Sequence, residues 1–176
     1  MDSPDLKLVD PSLDYRGDVL AMAQEYLLLG NPREQTAYEQ AARDLPVYLQ
    51  GLRDKAAGVG LAPGQVPYNT YWLLLEGRTI VAASTLRHWL TPALEIEGGH
   101  IGYGTRPSAR GNGFGTAVCA LTLEKAAQRG LRRVLITCDS DNRASSRIIR
   151  ANGGVFDSEV TSPNTGRKVS RYWVEL

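Results

Sequence analysis

The chain has 176 residues, 43% of them hydrophobic and 22% charged, with 18 glycines, 9 prolines and 2 cysteines. These values are those of an ordinary globular protein and exclude a disordered chain, a collagen-like repeat and a disulfide scaffold. The net charge of +1 conceals an asymmetry: residues 1–100 hold 8 Lys/Arg and 13 Asp/Glu, whereas residues 101–176 hold 12 and 6, so the second half is predicted to face an anion, be it nucleic acid, a membrane surface or a phosphorylated cofactor.

In chain order, residues 6–9 read as a short strand. Residues 13–29 read as a helix, with Leu13, Val19, Leu20, Ala23, Leu27 and Leu28 at helical spacing and a stop at Gly30-Asn31-Pro32. A second helical stretch covers 34–57, with a break near Pro46, and a Gly/Pro-rich loop spans 58–69. The dense aromatic and aliphatic residues of 70–76 turn at Gly77-Arg78 into 79–87, a hairpin pattern. A connection at about 88–98 leads to a strand at 100–105, a helix at 116–129, a strand at 133–138 and a helix at 143–151. Strands at 155–160 and 168–176 close the chain around a turn at Pro163-Asn164-Thr165-Gly166. This order predicts one domain, 1–176, built on a single mixed sheet of about seven strands with about four helices, an α/β (α+β) arrangement.

Neither a run of 18–20 apolar residues nor a basic leader is present, and the N-terminus Met1-Asp2-Ser3-Pro4-Asp5 is acidic, so no membrane partner and a cytoplasmic location with reduced thiols are expected. Two cysteines and two histidines without ligand spacing predict no metal site.

The chemistry concentrates in residues 106–116, Arg-Pro-Ser-Ala-Arg-Gly-Asn-Gly-Phe-Gly-Thr. The segment leaves a strand and opens a helix, where unpaired amides and the positive dipole end favour an anion. Gly111, Gly113 and Gly115 let a diphosphate approach the amides, and Arg110 adds a cation at the edge. Spacing alone leaves a dinucleotide fold, a nucleotide loop and a plain helix start open; the Lys-Ser/Thr ending of a nucleoside-triphosphate loop is missing, and the dinucleotide reading has Asp139 as its distant acid.

The string Arg110-Gly111-Asn112-Gly113-Phe114-Gly115 resembles the Arg/Gln-x-x-Gly-x-Gly/Ala signature of the GNAT superfamily of acyl-CoA N-acyltransferases, and Tyr103–Pro107, Asn142–Ser146 and Arg150–Gly154 extend the match. Gly98–Tyr103 and Arg171-Tyr172-Trp173 are similar to a poorly characterised bacterial subgroup of predicted acetyltransferases. The resemblance implies a twisted, mostly antiparallel GNAT-like sheet with a splayed central strand pair and acetyl-CoA as co-substrate, without metal. It also implies that the amides of Gly111–Thr116 (Gly111, Asn112, Gly113, Phe114, Gly115, Thr116) hold the pyrophosphate beside Arg110. Tyr103, Gly104 and Thr105 would pair with the pantetheine arm, Asn142 and Ser145 would face it, and Arg147 or Arg150 would meet the 3′-phosphate.

For transfer to an amine, Glu97 and His100 are the candidate bases, with Glu95 behind them. Glu97 and His100 have opposite parity, which a bulge at Gly98-Gly99 can undo. The proton-donating Tyr that many family members carry is replaced by Ile149, so Tyr172, or else Tyr103, is the candidate acid. The acceptor is a small-molecule or peptidyl amine, attracted by Glu34, Glu39, Asp44 and Asp54 of the acidic half. No nucleic-acid partner is expected, because no recognition helix is apparent. A homodimer using Tyr71-Trp72 or the last strand pair is a further expectation. A non-catalytic acyl-CoA sensor and a dinucleotide oxidoreductase are the alternatives.

Overall fold

The structure, a computed structural model, describes residues 4–30 and 32–176. Seven strands and six helices alternate in the order β1 (Leu6–Val9), α1 (Arg16–Leu29), α2 (Pro32–Arg43), α3 (Leu45–Ala57), β2 (Tyr68–Leu75), β3 (Thr79–Arg87), α4 (Pro92–Ile96), β4 (Ile101–Thr105), α5 (Phe114–Gln128), β5 (Arg133–Asp139), α6 (Arg143–Ala151), β6 (Val155–Thr161) and β7 (Lys168–Glu175).

The second helical stretch is two helices. Asp44 leaves helical backbone to accept a hydrogen bond from Val47 N at 3.1 Å, and Pro46 sits in the first turn that this cap starts. The connection after β3 also contains the single-turn helix α4, capped by Thr91. These two features account for six helices where about four were expected. The β2–β3 hairpin turns through Glu76 and Gly77, both in left-handed backbone (φ 51° and 71°), the geometry a tight hairpin needs.

The strands form two sheets rather than one, β1-β2-β3-β4 and β5-β7-β6, and every ladder in both is antiparallel. The first sheet is buried on both faces, which is why β2 reads as a continuous apolar run. Trp72, Leu74 and Ile80 pack under α1, α2 and α3 with Val19, Met22, Tyr26 and Leu49. Leu73, Val81 and Ala82 pack with Val118 of α5, and Tyr71 and Leu86 with Cys119 and Leu123 of the same helix. Tyr71 and Trp72 are therefore core residues, 8% and 1% exposed, and not an interface between copies. On the last strand pair Val155 and Phe156 of β6 are exposed.

The sheets meet at one point, the start of β4. His100 N donates to Leu135 O at 2.7 Å, and Leu135 N donates to His100 Nδ1 at 3.0 Å. Gly98 (φ 114°) and Gly99 (φ 59°) lie in the turn before β4, whose ladder with β3 has no bulge, and their backbone allows this approach: a side chain on Gly99 would lie 2.4 Å from Leu135 O. Arg87 Nη1 donates to both of their carbonyls, at 3.1 and 2.9 Å, and Gly98 N donates to Thr137 Oγ1. Beyond this clamp β4 and β5 part.

Candidate functional site

The parting of β4 from β5 exposes one edge of β4. Arg87 N donates to His100 O at one end of the β3–β4 ladder and Arg106 N to Val81 O at the other. With the register Thr85↔Gly102 and Ala83↔Gly104, antiparallel alternation turns the N–H and C=O groups of Ile101, Tyr103 and Thr105 away from β3, into the slot.

Past β4 the chain is anchored by Arg106, which is buried and reaches back to the first helix. Its Nη1 lies 2.9 Å from Asp18 Oδ1 and its Nε 2.6 Å from Glu25 Oε1, and Ser108 N donates to the other Glu25 oxygen. Breaking such a pair leaves two uncompensated carboxylates, a loss of about 3–5 kcal/mol in buried examples. The loop thus enters α5 from a fixed position. Gly111 and Gly113 have φ of 83° and 81°, and neither has an atom within 4 Å of where a side chain would start. Only glycine takes this backbone without strain, and the open space lies where a ligand can come. Among the described residues the amides of Gly111, Asn112, Gly113, Phe114 and Gly115 have no protein acceptor, whereas Thr116 N and Ala117 N return to Gly113 O. Five consecutive N–H groups thus point out of one loop and helix start.

Those residues open on a cleft of about 730 Å3. Of the predicted cofactor residues, Tyr103, Gly104, Thr105, Arg110, Gly111, Gly113, Phe114, Gly115, Thr116, Asn142, Ser145 and Arg147 all line it. Asn112 does not: its side chain folds back to donate to Ala109 O and Arg110 O, and only its amide belongs to the cradle. Ala144, Ile148 and Ala151 of α6 line the cleft too. Their four- and three-residue spacing places them on one face of α6. Among the described residues two arginines and no carboxylate border the space. Arg150 instead lies over the Tyr172 ring, 5.6 Å from its centroid. Asp139, the acid a dinucleotide loop needs, is held by Arg167 at 2.9 Å.

Two further clefts adjoin. One of about 300 Å3 fills the fork between β4 and β5 and is bordered by Glu97, Arg87, Tyr103, Thr137, Cys138, Asn142 and Ser145. The other, about 620 Å3, lies on the α2–α3 side and reaches Gly102, Tyr103 and Gly104. Tyr103 borders all three. Its hydroxyl is 2.9 Å from Ser145 Oγ, and burial keeps the phenol protonated well above its ordinary range. Glu97 accepts a 2.5 Å hydrogen bond from Ser162 Oγ.

Three other predicted chemical residues sit elsewhere. His100 faces away from the fork, beside Trp173, and its Nδ1 is occupied by the Leu135 amide. Burial, reinforced by Arg87 and Arg133, depresses its pKa to about 4. A histidine depressed below its unfolded value of 6.5 loses stability as pH falls, because the unfolded chain takes up the proton first. The full difference is roughly 3 kcal/mol. Denaturant titrations should therefore show wild-type stability falling between about pH 6.5 and 4 and a visibly flatter profile in His100→Asn, which keeps an acceptor for Leu135 N; parallel profiles would place the titration elsewhere. Tyr172 is buried, with its hydroxyl 2.8 Å from Ser146 Oγ, and lines none of the three clefts. Ile149, at the family's tyrosine position, is wholly buried in the core. Glu95 borders a separate cleft with His100.

Of the carboxylates expected to draw in a cationic amine, Asp44 and Asp54 do not line the 620 Å3 cleft. Asp44 caps α3 and Asp54 accepts from Gln50 Nε2. Glu39 is also absent from the lining, and the Glu34 side chain lies outside the described residues. Cys119 and Cys138 are free and buried, and burial pushes both thiols up. No group of three or more His, Cys, Asp or Glu suited to a metal occurs among the described residues, nor does a helix long and apolar enough to cross a membrane.

Residues 18–155 match the family described as the acetyltransferase (GNAT) domain. No curated protein matches the chain significantly in sequence. Among solved structures, the microcin C7 self-immunity acetyltransferase in complex with acetyl-CoA and AMP superposes with a TM-score of 0.67 at 12% identity, over 98% of this chain and 93% of that one. A Salmonella typhimurium acetyltransferase that modifies the N-terminal serine of a 50S ribosomal subunit protein gives 0.66 at 16%, over 97% and 95%. Mycobacterium smegmatis RimJ in complex with CoA-disulfide gives 0.68 at 17%, over 97% and 81%. At these identities the likeness is one of fold.

Proposed function

The chain belongs to the GNAT acetyltransferase domain family, and from that premise we propose that it transfers an acetyl group from acetyl-CoA to a primary amine in a ternary complex. The observation that carries the reading is the run of five unpaired amides at Gly111–Gly115 beside Arg110 and Arg147, in a cleft lined by no carboxylate among the described residues. That donor set suits a diphosphate and a 3′-phosphate. It continues directly into the open β4 edge, where a pantetheine arm has backbone groups to pair with.

When bound, acetyl-CoA supplies an activated thioester carbonyl. The amides of Gly111–Gly115 donate to the pyrophosphate oxygens, and Ile101, Tyr103 and Thr105 offer their slot-facing N–H and C=O groups to the arm. The Tyr103 N–H polarises the carbonyl oxygen. Glu97, the one predicted base that borders the fork, takes the proton from the amine, directly or through a water. With acetyl-CoA bound, the amine nitrogen would bond to the carbonyl carbon as the carbon–sulfur bond breaks, and the Tyr103 hydroxyl would pass its proton to the departing thiolate and recover one from the protonated Glu97 carboxyl through water. Ser145, hydrogen-bonded to that hydroxyl, positions it. His100 and Tyr172 have no part in these steps and hold the frame.

The test is thiol release from acetyl-CoA against a panel of primary amines. Wild-type protein should turn over at least one amine, and Glu97→Gln should lower kcat about 100-fold with acetyl-CoA affinity unchanged. Acetyl-CoA binding without turnover of any amine would favour the sensor reading, which the buried Ile149 also suits; full activity in Glu97→Gln would remove Glu97 from the chemistry.

A further inference from the structure

The 620 Å3 cleft has a character that the acidic first half does not predict. Its aromatic wall is Tyr38, Tyr48, Tyr68 and Trp72, and among the described residues the two charged ones that line it are both cations, Lys55 and Arg87. Among the described residues no carboxylate lines it, and neither cation is in an ion pair. Lys55 Nζ lies 5.9 Å from the centre of the Tyr68 ring. Arg87 is opposite Tyr68 in the β2–β3 register, so both cations flank one aromatic residue. Only Nη1 of Arg87 is used by the Gly98 and Gly99 carbonyls, which leaves the rest of the guanidinium fork for a ligand. A smaller cleft of about 320 Å3 shares Tyr68, Thr85 and Arg87 with this one and carries no carboxylate either. Two cations without a carboxylate partner among the described residues repel a polyamine and leave an attraction for an anion unspent. The aromatic wall favours an apolar or ring-bearing body, and the volume is that of a small-molecule site.

Resting on the acetyl-transfer reading, we infer that this cleft selects an acceptor amine that carries an anionic group on an apolar or aromatic skeleton. The anion sits between Lys55 and Arg87 and the amine points toward Gly102–Gly104. The acceptor class is that of an aryl- or alkyl-substituted amino acid, not a polycation.

Binding of product analogues tests this without requiring turnover. In calorimetry N-acetyl-L-phenylalanine should bind at least tenfold more tightly than N-acetylphenethylamine, which lacks only the carboxylate, and more tightly than N-acetylspermidine. Lys55→Met should shrink the tenfold ratio to below threefold; Lys55 is half-buried at the end of α3, so the variant is expected to fold, and an unchanged affinity for acetyl-CoA reports that it has. Arg87→Lys, which keeps a cation at the Gly98-Gly99 turn, should also narrow the ratio. Equal affinities for the first two analogues, tighter binding of N-acetylspermidine, absence of binding by all three, or a ratio indifferent to Lys55 would each overturn the inference. Failure of acetyl-CoA itself to bind is a separate result, and it would instead overturn the acetyl-transfer reading.

Discussion

Gly113→Glu is expected to weaken acetyl-CoA binding at least 100-fold, measured by calorimetry, while thermal unfolding stays cooperative. Gly113 is the residue before α5, with φ of 81° and open space where its side chain would start. A glutamate meets no steric obstacle there, so the cost to the fold is that of left-handed backbone in a non-glycine residue, about 1–2 kcal/mol. The carboxylate, however, is tethered among five amides that have no other acceptor. It satisfies them itself and repels the diphosphate, and a 100-fold loss corresponds to only about 2.7 kcal/mol. Gly113→Asn separates the two effects, because asparagine tolerates the left-handed region and brings no charge. The asparagine variant should lose less than tenfold. Equal losses in both would mean that backbone strain, not the anion site, governs binding.

The second large effect is expected at Gly99. A methyl group there would sit 2.4 Å from Leu135 O and 3.0 Å from Leu135 C, backbone atoms that cannot rotate away, and φ is 59°. Gly99→Ala should therefore separate the sheets at the point that joins them, removing the His100–Leu135 pair of hydrogen bonds and loosening the Arg87 clamp. A loss of about 3 kcal/mol or more is expected, which lowers Tm by roughly 6–12 °C in a chain of this size. Turnover should fall as well, since the fork opens from this clamp. Gly98→Ala is the comparison: it carries backbone strain of its own (φ 114°), but its new methyl meets only Leu94 Cδ2 at 3.0 Å, the far end of a flexible side chain, so without the clash against backbone its effect should be smaller. If Gly99→Ala melts within 2 °C of the wild type, the turn is not the joint described here.

The two variants also mark where sequence was informative. The cradle is local: a strand end, three glycines at alternate positions and a helix start lie within eleven residues, and each signal has a short-range cause in backbone freedom or helix polarity. The caps of α5 and α6 are local for the same reason. The anchoring of that cradle is not. Arg106 meets Glu25 and Asp18 across 81 and 88 residues of chain, and nothing near Arg106 distinguishes it from a solvated arginine. His100 shows the limit of parity. The turn at Gly98-Gly99 lets Glu97 border the fork while His100 turns toward Trp173, so a carboxylate and an imidazole three residues apart serve different ends. The 620 Å3 cleft is assembled from α2, α3, β2, β3 and β4, so its lining, without a carboxylate among the described residues, follows from how those elements come together and not from any one segment.

The charge asymmetry changes meaning in the same way. Part of the positive half is neutralised within the protein, by Asp18 and Glu25 on Arg106 and by Asp139 on Arg167. Arg110 and Arg147 border the amide cradle, and Lys55 and Arg87, which belong to the acidic half, border the 620 Å3 cleft. Of the acidic residues of the first half, Asp44 caps α3 and Asp18 and Glu25 anchor Arg106.

The central claim is that the cleft at the start of α5 is an acetyl-CoA site, and calorimetric titration of the wild-type protein tests it most directly. Acetyl-CoA should bind with one site per chain, 3′-dephospho-CoA should bind more weakly through loss of the contact assigned to Arg147, and NAD should give no measurable heat. Binding of NAD in preference to acetyl-CoA, or no binding of acetyl-CoA at all, would contradict the account.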